Sequence, residues 1–256
     1  MLDSCQLNTG VSGGKYELMA AFGAQNTYKD MEEVQRATDQ KKWLFGALGY
    51  DLKNQFEKLK STNTPIIETE NLLFFEPKTL ILLRKNGDLD VLGEPLQNSF
   101  WSEKDLPTHG HLSSDQLPTE KETYIDKIQT IHELIRAGEV YELNYCVPHT
   151  RNFTHFSPIR FQLDLVQTSP VPMASYLKAE HIHLCGASME RYLLKEGNKL
   201  ISQPIKGTIR KGTSPEEDEK LVAELEHSEK DRAENVMIVD LVRNDLNRIC
   251  QRGSVR

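Results

Sequence analysis

The chain has 256 residues, a formal net charge of −7 and 27% charged residues. This excludes global attraction to nucleic acid or an anionic membrane, so any anionic ligand must be held by a local basic cluster. No apolar run approaches the roughly 20 residues of a membrane span, and no basic segment followed by an apolar one opens the chain, which leaves the cytoplasm as the default compartment.

The length admits one large domain or two small ones. Residues 1–93 read as an N-terminal subdomain of strands with an intervening helix. Within it, Trp43 to Tyr50 is an apolar, glycine-containing strand and Asp51 to Leu59 a short charged helix. Strands follow at 71–75, 79–83 and 89–92, and Asn86-Gly87 between the last two is a strong hairpin signal. From Glu94 to Pro118 the composition shifts to Pro, Ser, His and Asp with little periodicity, which marks a linker.

Residues 119–256 read as the first part of a catalytic domain. Thr119-x-x-Glu122 has the form of a capping box, and Tyr124, Ile128, Ile131 and Ile135 recur at helical spacing up to Gly138 at the C-terminal cap. Val140 to Val147 alternates apolar and polar residues and predicts a strand. A helix is expected at Phe161 to Gln167, strands at 181–187 and 192–194, and a further strand carrying Lys206. Ser214-Pro215 then starts a helix by the N-cap and N1 preferences. Antiparallel hairpins interspersed irregularly with helices indicate α+β rather than a doubly wound sheet.

Ser202-Gln-Pro-Ile-Lys-Gly-Thr-Ile-Arg-Lys-Gly212 places Lys206 between Pro204 and Gly207, with Arg210 and Lys211 close behind, in an otherwise acidic chain. A lysine amine is a nucleophile only when deprotonated, and neighbouring cations or burial would favour that form. The spacing is also met by a strand lysine whose head lies in solvent. Further on, Asp231 and Glu234 stand at i and i+3 in the first turns of a helix opened by Ser228. The helix dipole alone favours acids there. Glu190 next to Arg191 is compatible with a surface ion pair. Asp240, Arg243, Asn244 and Asp245 read as buried polar contacts that fix the helix position. Cys5, Cys146, Cys185 and Cys250 contain no CxxC pair, which argues against zinc and fits free thiols in a reducing compartment. The histidines form no ligand pattern, and Gly13-Gly14 is too short for a phosphate loop.

Two of these segments, 202–212 and Ser228 to Asp245, resemble the PIKGT and KDRAEN(L/V)MIVDL(V/L)RNDL motifs of the chorismate-utilising enzymes. With lysine at 206 the resemblance is to the aminodeoxychorismate synthase component I subfamily. It covers most of residues 40 to 256 and is densest after Tyr141. The resemblance implies an α+β fold of antiparallel sheets packed face to face with outer helices, and amination of chorismate at C4. Lys206 would be the nucleophile. Glu190, in a stretch resembling SPER(F/L) with Met189 in the proline's place, would be the general acid. Gly207 and Thr208 would line the substrate, and Glu234 would bind magnesium together with carboxylates from a segment this chain does not contain. Glu142 stands where amino-transferring members carry glutamine and isochorismate-forming members a lysine base, so water addition is disfavoured. The resemblance further implies a glutamine amidotransferase partner that supplies ammonia, and a chain truncated after Arg256 that is expected to be inactive by itself. The alternatives are anthranilate synthase component I, whose members carry alanine where Lys206 stands, and an inactive chain serving as a partner-binding module.

Overall fold

The computed structural model describes residues 2–3, 15–61, 63–97, 107, 109–110, 112–116 and 120–256. The expected cap at Thr119, much of the expected linker, Cys5 and Gly13-Gly14 lie outside the described residues.

The chain divides into two compact units, residues 1–102 with 162–256, and residues 103–161. The first begins with β1 (Leu2–Asp3), β2 (Tyr16–Tyr28), α1 (Met31–Asp39), β3 (Phe45–Leu48), β4 (Leu72–Arg84) and β5 (Leu89–Gly93). The second contains β6 (Leu112–Gln116), α2 (Lys121–Arg136), β7 (Thr150–Phe153) and the start of α3 (Pro158–Thr168). The first unit resumes at Gln162 and adds β8 (Met173–Ala179), β9 (Ile182–Ser188), β10 (Arg191–Glu196), β11 (Lys199–Gln203), α4 (Pro215–His227) and α5 (Glu229–Asn247).

The first unit is organised around a seven-stranded sheet in the order β3-β4-β2-β1-β8-β9, with β5 also pairing β4. All pairings are antiparallel, as the α+β expectation requires. The sheet therefore takes strands from both sides of residues 94–118. Its most buried strand is β4, paired with β2 on one side and with β3 and β5 on the other, where Thr79, Leu80, Ile81 and Leu82 are all buried. A continuous apolar run of this kind fits a strand covered on both faces, with neighbours on each side.

The two strands expected at 71–75 and 79–83 are a single strand. Pro77 lacks an N–H, yet it sits where the β2–β4 register shifts between Ala24 and Asn26, one of the places a sheet tolerates proline. The hairpin at Asn86-Gly87 forms as expected: Gly87 has φ +89°, and the Arg84 N–H donates to the Asp88 carbonyl at 2.8 Å. The charged helix expected at 51–59 is reduced to a 3-10 turn over Tyr50–Gln55.

In the second unit β6 and β7 form a two-stranded antiparallel sheet, and β6 lies inside the 94–118 stretch. The rings of His109, Phe153, Phe156 and Phe161 gather beside it, His109 stacking on Phe156 at 4.7 Å. Helix α2 ends as the sequence indicates, with Ala137 at the cap and Gly138 at φ +76° behind it.

The strand expected at 140–147 does not form, because residues 141–149 have no regular structure and β7 starts only at Thr150. Alternation is a packing pattern, and without a partner ladder it does not make a strand. Tyr145 instead meets the ring of Tyr124 on α2 at 5.7 Å.

Candidate active site

The site is built at one end of the β10–β11 hairpin and on the first turns of α4 and α5. In the hairpin Arg191 pairs with Gln203, so Glu190 enters and Pro204 leaves at the same end. The ladder carries one extra residue on β10 between Arg191 and Leu194, and the Ser202 hydroxyl donates to the Tyr192 carbonyl at 2.8 Å.

Beyond Gln203 the expected Lys206 strand is not found, since residues 204–212 run without regular structure. Pro204 has no N–H to continue the ladder, and Gly207 at φ +80° leaves the β region. The consequence is functional: the segment peels away from the hairpin and lies along the helix starts.

There Lys206 Nζ stands 3.6 Å from Glu234 Oε1, with 22% of the lysine side chain and 34% of the glutamate side chain exposed. Gly207 lies against Asp231, where a β-carbon would come within 2.9 Å of Asp231 Cβ. Farther along, the Arg210 guanidinium pairs with Glu217, and the Gly212 N–H donates to Asp218 at 2.8 Å. Arg210 is therefore committed to α4. Glu234 places a carboxylate beside Lys206.

Both helices are capped as the sequence indicates. Ser214 accepts from the Glu217 N–H with Pro215 in the first turn, and Ser228 accepts from the Asp231 N–H. Glu217 has a role the sequence reading missed. Its carboxylate accepts from the Thr213 hydroxyl and, at 2.7 Å, from the Thr213 N–H, while Arg210 faces it. Thr213 first and Arg210 second hold this carboxyl down to about 2. Ser214-x-x-Glu217 is a capping-box pattern, so a signal for this knot was present in the sequence.

Glu190 is exposed and follows β9 after Met189. Its backbone N–H donates to the Ser188 hydroxyl at 3.1 Å, and that hydroxyl donates to the Glu190 carbonyl at 3.2 Å. Ser188 thus closes a tight turn across the methionine that replaces the motif's proline. Thr208 is exposed and Glu142 half-buried in the 141–149 segment. Asp240, Arg243, Asn244 and Asp245 are exposed rather than buried, because α5 has no buried residue; Arg243 pairs with Asp240 at 2.7 Å.

Upstream, Gln162 of α3 is 1% exposed. Its amide donates to the Gly186 carbonyl and accepts from the Gly186 N–H, both at 3.0 Å. It acts as a one-residue substitute for a neighbouring strand at the edge of β9. Helical periodicity alone gives no sign of this.

The family described as chorismate binding enzyme matches residues 9–256. The chain belongs to this family. Among its relatives is the probable aminodeoxychorismate synthase, chloroplastic, of Oryza sativa, 43% identical over 138 residues, which are 53% of this chain and 15% of that protein. Aminodeoxychorismate synthase component 1 of Escherichia coli is 30% identical over 223 residues, 82% of this chain and 48% of that protein. Anthranilate synthase component 1 of Thermus thermophilus is 29% identical over 227 residues, 82% of this chain and 49% of that protein. The chain thus spans about half the length of these bacterial relatives. The crystal structure of anthranilate synthase component I from Streptococcus pneumoniae superposes with a TM-score of 0.71 at 18% identity, covering 95% of this chain and 64% of that one, which establishes the shared fold. No helix among the described residues is long and apolar enough to cross a membrane.

Proposed function

We propose that the protein aminates chorismate at C4 to give 4-amino-4-deoxychorismate, on the route to para-aminobenzoate and folate. The observation that carries this reading is Lys206, held in a half-buried position beside the α5 carboxylate Glu234. A lysine there supplies what C4 chemistry through a covalent intermediate needs: an amine nucleophile at a fixed place on the substrate wall. As the free amine, its proton lost to water, Lys206 Nζ attacks ring C2, the ring double bonds shift, and the C4 hydroxyl leaves as water with a proton from Glu190. Ammonia then bonds to C4, its surplus proton returning to the Glu190 carboxylate, and the shift reverses, expelling the lysine from C2. The net change replaces hydroxyl by amine and releases one water. Gly207 and Thr208 line the substrate beside the nucleophile. A glutamine amidotransferase partner supplies the ammonia.

Magnesium is the proposed cofactor. Among the described residues no three His, Cys, Asp or Glu side chains cluster as a metal site. Glu234 fits magnesium as one hard oxygen ligand, because this ion keeps several waters and uses few protein carboxylates. When bound it would neutralise the substrate carboxylate. Glu234 now carries the ammonium of Lys206, so the two cations compete for one carboxylate.

The test is Lys206→Ala, made in a chain extended to the length of the bacterial relatives and assayed with chorismate, magnesium and ammonia, with products separated by chromatography. Loss of the C4-aminated product is expected, and appearance of anthranilate in its place would show ring C2 opened to direct attack. Unchanged formation of the C4-aminated product would refute the covalent role and leave the anthranilate branch or a non-catalytic, partner-binding chain as the better reading.

A further inference from the structure

We infer that Asp231 is a positioning residue for Lys206, acting through Gly207; this rests on the reading of Lys206 as the nucleophile. The 204–212 segment touches α5 at two consecutive residues. Gly207 meets Asp231 and Lys206 reaches Glu234, so the segment runs antiparallel to the helix and spans one turn of it. Residues three apart on a helix share a face, and one rigid element therefore sets both contacts.

The Asp231 side chain is itself fixed. The Ser228 hydroxyl donates to Oδ2, and the Asp231 N–H donates back to the Ser228 oxygen at 3.3 Å. This leaves Oδ1 and Cγ turned to Gly207, where a β-carbon would lie 3.0 and 3.1 Å from them. Only a hydrogen fits there, and φ +80° is a conformation that glycine adopts without strain. Gly207 is thus seated on the Asp231 carboxylate. The position of Lys206 along α5 follows from that seat, because its Cα is one peptide bond away. Arg210, Thr213 and Gly212 tie the other end of the segment to α4, and on the Lys206 side Asp231 adds a seat beyond the ladder that ends at Gln203.

The experiment uses the 256-residue chain and limiting acetic anhydride at neutral pH, with acetylation at each lysine quantified by mass spectrometry. Asp231→Ala is expected to raise acetylation of Lys206 by about two- to fivefold, the factor lost with a weak, partly exposed ion pair. Lys195 and Lys220 should keep their rates. Asp231→Asn, which keeps the shape of the seat, should restore the Lys206 rate, whereas Glu234→Gln should raise it directly. An unchanged Lys206 rate in Asp231→Ala alongside a raised rate in Glu234→Gln would overturn the inference and leave the nucleophile reading standing. No change in either variant would remove the Lys206–Glu234 pairing and overturn the inference with it. A rise at all lysines alike would make Asp231 a folding residue and also overturn the inference.

Discussion

Gln162→Leu is the sharpest test of how the sheet positions Glu190. Leucine has a similar volume but can make neither of the two 3.0 Å hydrogen bonds to Gly186. Since Gln162 is 1% exposed, the freed Gly186 N–H and C=O cannot readily turn to water. Each unsatisfied buried group costs about 1–3 kcal/mol, so the variant should lose roughly 2–6 kcal/mol of stability. At about 2–4 °C per kcal/mol for a chain of this size, that corresponds to a drop in Tm of about 4–24 °C. Hydrogen exchange of the Gly186 amide should accelerate together with its β9 neighbours, and the turn at Ser188 to Glu190 should loosen because it continues directly from that strand. Gln162→Glu provides a second arm. As a carboxylate it sets an oxygen against the Gly186 carbonyl, and on acidification it regains a donor, so its deficit should shrink as pH falls. A Gln162→Leu variant within about 0.5 kcal/mol of the wild type, with unchanged Gly186 exchange, would show that the amide bridge does not hold the edge of β9.

Two further outcomes are expected. Glu217 titrates at about 2, below the ordinary carboxyl value of 4.5, so its contribution to stability is complete above pH 4.5 and is lost as pH falls toward 2. Thermal melts of wild type and Glu217→Gln across that window should therefore converge at the acid end; a constant difference would show that Thr213 and Arg210 do not depress the carboxyl. In a chain extended to the length of the bacterial relatives, Glu190→Gln should lower kcat for chorismate consumption by about 10²-fold or more with little change in KM, because the amide keeps the shape and lacks the proton. A raised KM with unchanged kcat would make Glu190 a binding residue.

What the sequence determined by itself was local or carried by motif. Ser214-Pro215 and Ser228 start their helices where a side-chain oxygen and a preset φ are needed, Asn86-Gly87 turns where positive φ is needed, and Gly138 ends α2 for the same reason. The PIKGT and KDRAEN segments mark Lys206 and Glu234 but do not show that the two side chains meet. Tertiary structure decided the rest, because pairing depends on partners distant in the chain. The alternation at 140–147 found no ladder, whereas the apolar runs around Pro77 joined into one strand once β2 accommodated the proline at a register shift. The Lys206 segment left its expected strand because Pro204 offers no N–H to the ladder and Gly207 turns to φ +80°, and Arg210 turned to Glu217 rather than to Lys206. Gln162 became a strand substitute through a residue 24 positions away. Composition and periodicity describe which face of an element is apolar; which groups meet across the fold is set by where the backbone places them, and the pairing of Lys206 with Glu234 is of that second kind.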